Sequence, residues 1–172
     1  MTRYVALLRA VNVGGRTIKM DALRAAFAEL GCDDVATFIA SGNVLFNASG
    51  RRGSVESRIE THLAERFDFE VATFLRTGTE LESTRRVAVP GGVAHNVAFA
   101  KAPLTAAQSD AVFALETDID RFVVEGAEIH WSCGRAQSES KFSNVRLERA
   151  IGGPTTMRNI TTVSKLAARL GG

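Results

Sequence analysis

The sequence is short of the residues on which most catalytic and metal chemistry rests. Its two cysteines, Cys32 and Cys133, stand alone, with no CxxC and no His/Cys spacing that suits zinc. Unpaired cysteines fit a reducing cytosol, so the protein is expected in the cytoplasm without a disulfide framework. The three histidines, His62, His95 and His130, have no partner spaced for a metal or a catalytic triad, and each reads as structural. No metal and no cofactor are expected. No apolar run approaches the roughly 18 residues that span a membrane, and no signal peptide precedes the first strand, so no membrane is expected as a partner. One tryptophan, one tyrosine and no RNP-type signature leave little for stacking bases. A net charge of +2 is too mild to argue for nucleic acid by itself. The familiar active-site motifs are missing too. Neither GxxxxGK[ST] nor GxGxxG occurs, and Ile39 stands where a GxSxG elbow around Ser41 needs glycine. "SESK" at 138–141 matches SxxK, but the K-T-G that accompanies it in penicillin-binding enzymes is absent.

What is present is a well-supplied core. With 172 residues, 45% of them hydrophobic, the chain is one large domain or two small ones. Residues 4–8 read as a buried strand. Leu23, Ala26, Phe27 and Leu30 follow helical spacing, closed by Gly31. Residues 35–40 and 44–46 flank "SGN" as a hairpin. Val55, Ile59, Leu63 and Phe67 mark a second helix, and 71–75 a further strand. The order is β-α-β-β-α-β, the ferredoxin-like arrangement. After an added linking helix near 79–86 and "PGG" at 90–92, the order repeats. A strand lies at 96–100, Thr105 and Gln108 form a capping box, and Gly126 turns a hairpin. A helix is predicted over 142–151, a strand over 155–157, and an amphipathic helix from Ile160 to Leu170. The expected class is α/β (α+β), with two tandem ferredoxin-like halves over 1–89 and 90–172, the second carrying the C-terminal helix.

The groups suited to binding gather at strand ends. "RAVNVGG" at 9–15 runs from an apolar strand into an arginine, an asparagine and two adjacent glycines. Such glycines let backbone N–H groups face one concavity, and the helix that follows adds positive potential. Arg9, Arg16 and Lys19 bring charge. At "SGN", Ser41 and Asn43 offer side-chain donors around Gly42. Lys141 sits at a helix start, where the dipole gives it no benefit, and Arg158 leaves a strand end beside Asn159, a helix cap.

These stretches resemble a bacterial family catalogued as domain of unknown function 1697. The marks are "YVALLRAVNVGG", "KMDALRAAFAELG", "SGNVLF", "SKFSN" and the "RN" before the last helix, in that order over nearly the whole chain. The family usually has glycine where Ala10 stands and often an aromatic where Ile160 stands. The resemblance implies paired ferredoxin-like halves and carries no activity, substrate or cofactor. Matching its motifs singles out Arg9, Asn12, Gly14, Gly15, Lys19, Ser41, Gly42 and Asn43 in the first half. In the second half it singles out Lys141, Arg158 and Asn159.

Almost all of these are hydrogen-bond donors. A general acid–base enzyme places a tunable group at the centre, and a metal site needs carboxylates, imidazoles or thiolates. A constellation of donors suits an anion instead. The reading is a site for a phosphorylated or nucleotide-like anionic small molecule, with no reaction disclosed. RNA or single-stranded nucleic acid ranks second. A protein-interaction or scaffold module, dimerising through a sheet edge, ranks third, and Arg9 could then belong to a network with Glu148 or Asp21.

Overall fold

A computed structural model describes residues 1–9, 15, 17–39 and 42–171. The chain divides into two compact units, Met1–Glu82 with Lys165–Gly172, and Ser83–Ser164. Each unit carries one four-stranded antiparallel sheet.

In the first unit the elements are β1 (Thr2–Leu8), α1 (Met20–Glu29), β2 (Asp33–Thr37), β3 (Asn43–Ala48), α2 (Arg52–Phe67) and β4 (Thr73–Arg76). The sheet order is β2-β3-β1-β4, the ferredoxin-like order. Tyr4, Ala6 and Leu8 face the helices, while Val5 and Leu7 are equally buried on the other face. A strand buried on both faces reads as a continuous apolar run, which is why 4–8 lacks alternation. Leu23, Ala26 and Phe27 of α1 meet Val55, Ile59 and Leu63 of α2 in this core. Gly31 closes α1 with φ +79°, its N–H on the Ala28 carbonyl at 2.9 Å. The second strand occupies 33–37 rather than 35–40.

The helix α3 (Gly78–Arg85) leads on to β5 (Ala94–Ala100), α4 (Ala106–Phe113), β6 (Asp120–Glu125), β7 (Glu128–Cys133), α5 (Asn144–Ile151), β8 (Thr155–Asn159) and α6 (Ile160–Gly171). The second sheet has the order β6-β7-β5-β8, the same pattern again. The capping box opens α4, with the Gln108 N–H on Thr105 Oγ1 at 3.2 Å and the Thr105 N–H on Gln108 Oε1 at 2.9 Å. The fifth helix starts at Asn144, two residues later than its apolar pattern. Ser143 is extended and caps it, and Phe142 instead packs its ring 4.8 Å from Trp131 and 4.9 Å from Phe122.

Glutamate side chains bond three of the sheet edges. Glu56 Oε1 accepts the Leu75 N–H of β4 at 3.0 Å, Glu116 Oε2 the Phe122 N–H of β6 at 3.0 Å, and Glu148 Oε2 the Thr155 N–H of β8 at 2.7 Å. The register of β2 shifts between Asp33 and Ala36, and Arg3 donates to the Asp34 carbonyl at 2.8 Å.

Candidate functional site

At the end of β1 the chain is held from both sides. The Leu8 N–H donates to the Gly42 carbonyl at 2.8 Å and the Arg9 N–H to the Ala72 carbonyl at 3.0 Å. Arg9 therefore stands between the β2–β3 turn and the lead-in to β4. The first half of α1 lies beside the same turn, because Arg24 Nη1 donates to Thr37 Oγ1, the last residue of β2, at 3.1 Å. Lys19 is the N-cap of α1. It is extended, exposed and makes no side-chain cap. A lysine here neither satisfies the helix N–H groups nor suits the positive end of the dipole. Gly15, exposed, has φ +82°, a conformation that favours glycine. Asn12, Gly14 and Ser41, with Arg16, lie outside the described residues.

Asn43 is buried, and its amide nitrogen donates to the carbonyls of Phe38 at 3.1 Å and Ile39 at 2.9 Å. It thereby fixes the hairpin that carries Gly42 and holds Ile39 at φ +52°. Sequence reasoning missed Arg169. This exposed residue of α6 places its guanidinium 5.3 Å from the centre of the Phe38 ring, adding a cation to the same hairpin from the far end of the chain. No local pattern announces it. Of the two carboxylates weighed as partners of Arg9, Asp21 is ion-paired with Arg24 and Glu148 accepts the Thr155 N–H.

The second unit holds the other three residues. Lys141 is exposed and precedes the Ser143 cap, and its carbonyl accepts from Arg146 Nη1 at 3.1 Å. Its neighbour Ser140 donates to Asp120 Oδ1 at 2.7 Å, and Trp131 Nε1 donates to the same oxygen at 2.8 Å. Thr117 Oγ1 donates to Asp120 Oδ2 at 2.8 Å. Burial pushes the Asp120 carboxyl up, but these hydrogen bonds outweigh it and hold it below the usual range. Arg158 does not project from its strand end. It turns back, donating to Thr156 Oγ1 at 2.7 Å and the Met157 carbonyl at 2.9 Å. Burial lowers its pKa to about 10, which leaves it a cation at neutral pH. Arg76, at the matching register of the first sheet, likewise donates to the carbonyl before it, that of Leu75, at 2.9 Å. Asn159 caps α6, accepting the Thr162 N–H at 2.8 Å.

The histidines have partners that spacing did not reveal. His95 Nε2 and His130 Nδ1 are 2.9 Å apart, from strands 35 residues apart in sequence. His130 is wholly buried, and its Nε2 has no partner among the described residues. Burial, then the charge of His95, lowers the His130 pKa to about 4, and burial lowers that of His95. Only the register of β5 against β7 could have revealed this pair. His62 Nε2 meets Glu29 Oε2 at 2.8 Å. No group of three metal-ligating side chains forms among the described residues. No helix among them is long and apolar enough to cross a membrane.

The family model described as a protein of unknown function (DUF1697) matches residues 1–130. Among solved structures, the chain is similar to the conserved bacterial protein SP0830 from Streptococcus pneumoniae, with a TM-score of 0.83 and 24% identity over 100% of this chain and 99% of that one. This likeness shows the fold. The comparison with curated proteins finds no match.

Proposed function

We infer a function for this chain, which belongs to the DUF1697 family, from the open end of its first unit: it binds a phosphorylated or nucleotide-like anionic small molecule there. The observation that carries the reading is the uncapped start of α1. Lys19 occupies the cap position without capping, at the end of the sheet where Arg9 and the Gly42 turn also lie. An anion seated there accepts N–H groups that the Lys19 side chain does not cap and relieves the conflict between lysine and dipole. Lys141, Arg158 and Asn159 are second-unit residues of the same motif set. The protein works in the cytoplasm, which its two free, buried cysteines suit. The glutamate carboxylates that accept edge N–H groups of β4, β6 and β8 weigh against association through those sheet edges.

Thermal unfolding against nucleotides, sugar phosphates, inorganic phosphate and a short single-stranded RNA tests the reading. A ligand at 100 times its Kd adds about 2.7 kcal/mol, or about 5 to 11 °C at this size. One phosphorylated small molecule is expected to stabilise the wild type and not Arg9→Ala. A salt-sensitive response to RNA alone, or no response while Arg9→Ala simply melts earlier, overturns it.

A further inference from the structure

We propose that His95 and His130 form a two-coordinate site for a soft monovalent metal ion, copper(I), on the second sheet. The site is independent of the anion site in the first unit. His95 Nε2 and His130 Nδ1 are 2.9 Å apart, and their ring centres are 5.2 Å apart. The second distance is the first plus about one ring radius at each end, so the two nitrogens face each other head-on. A metal ion held in line between two imidazoles needs this alignment. Among the described residues no carboxylate bonds either ring, whereas Glu29 bonds His62.

Nothing in the architecture asks for a histidine here. Val5 of the first sheet is paired with Leu45, where Val97 of the second is paired with His130. A leucine serves that position. His130 is wholly buried and leaves its Nε2 without a partner among the described residues. A half-satisfied buried ring costs stability, and such costs are found where a group has a function.

The chemistry of the pair selects the ion. Burial holds both rings below the usual histidine range, so both are neutral at pH 7, the form that coordinates. Zinc takes four ligands, and no third metal-ligating side chain joins these two among the described residues. Copper(I) is satisfied by two neutral nitrogens in line, and imidazole suits copper. Two metal–nitrogen bonds of about 2 Å span about 4 Å, so the gap must widen by about 1 Å. His95, half-buried near the start of β5, is the ring that moves. The ring hydrogens then sit on His95 Nδ1 and His130 Nε2, and no proton is lost.

The test measures copper(I) uptake without oxygen, in competition with the chelator bicinchoninate. It compares the wild type with His95→Gln, His130→Leu, His62→Gln and the double variant Cys32→Ala with Cys133→Ala. The wild type should take up one equivalent, with imidazole nitrogen NMR shifts at His95 Nε2 and His130 Nδ1 and none at His62. A glutamine amide can still donate to His130 Nδ1. His95→Gln should therefore melt as the wild type does yet bind copper(I) more than about 100-fold more weakly, beyond the loss of an outer-shell partner. His130→Leu should bind as weakly, while His62→Gln and the cysteine variant should stay within about twofold of the wild type. No uptake by the wild type, uptake that the cysteine variant loses, or a His95→Gln that binds as tightly as the wild type overturns the proposal.

Discussion

Leu8 and Ala100 hold matching places in the two units. Each nears the close of the first strand of its sheet and donates its N–H to the turn of the adjoining hairpin, Gly42 in one and Ala127 in the other, both at 2.8 Å. From there the chain takes different courses. In the second unit four residues, Lys101 to Leu104, reach a helix that is capped at once by Thr105 and Gln108. Leu104 adds a bond to the Gly126 carbonyl at 3.0 Å, Gln108 Nε2 reaches the Ile151 carbonyl at 2.8 Å, and Glu125 and Glu128 flank the turn. In the first unit ten residues, Arg9 to Ile18, lead to an uncapped helix, and 39–43 carry no carboxylate. The second course shows that this fold can satisfy its own donors at this position. The lack of a side-chain cap at Lys19 is therefore a feature of the first unit rather than a requirement of the architecture.

The largest way to sharpen this contrast lies on the sheet faces. Val5 is flanked by Leu45, and its counterpart Val97 by His130. The second unit therefore titrates where the first does not. With a folded pKa of about 4, His130 stays neutral while the unfolded chain takes up a proton below about 6.5. Stability is full above pH 6.5 and falls as pH drops toward 4, by about 3 kcal/mol. Trp131, the only tryptophan, reports the second unit, and Tyr4, the only tyrosine, the first. Urea unfolding at pH 7.5 and pH 4.5 should show the loss at Trp131, and His130→Leu should flatten it. An unchanged acid loss in that variant assigns it elsewhere.

Next in size is the cap itself. Thr105→Ala should lower the stability read at Trp131 by about 1 kcal/mol, whereas Lys19→Ala should not lower the stability read at Tyr4, because Lys19 caps nothing and opposes the dipole. Smallest in stability is the attempt to make the first unit resemble the second. Lys19→Asp supplies the missing cap and should raise the midpoint at Tyr4 by about 0.5 to 1 kcal/mol. The same change should weaken phosphate binding by about tenfold, since the new carboxylate takes the place of the ligand. A variant that is stabilised yet binds phosphate as before breaks the link between the open helix and the site.

The repeated β-α-β-β-α-β order was legible because burial follows spacing: Val55, Ile59 and Leu63 are one face, and Thr105 and Gln108 are three residues apart. The candidate site was read only as a list of donors at strand ends. The left-handed backbone at Ile39 was not legible, because it is held by the Asn43 amide four residues later, once the hairpin has closed. Arg169 on Phe38 and His95 on His130 depend on which strands and helices become neighbours, information no local window contains. Phe142 left its expected helix because two aromatic rings elsewhere in the chain offered it better packing.

Glu56, Glu116 and Glu148, which bond the edges of β4, β6 and β8, also bear on how molecules of this protein meet one another. A bare strand edge is a template on which a second chain can add, and then a third, until a fibril grows. Here an edge N–H on each of these strands already holds a carboxylate, so an incoming strand must displace a charged acceptor before its first bond forms. The fold thus places a charged obstacle at three of its four sheet edges, where a fibril-forming strand would have to add.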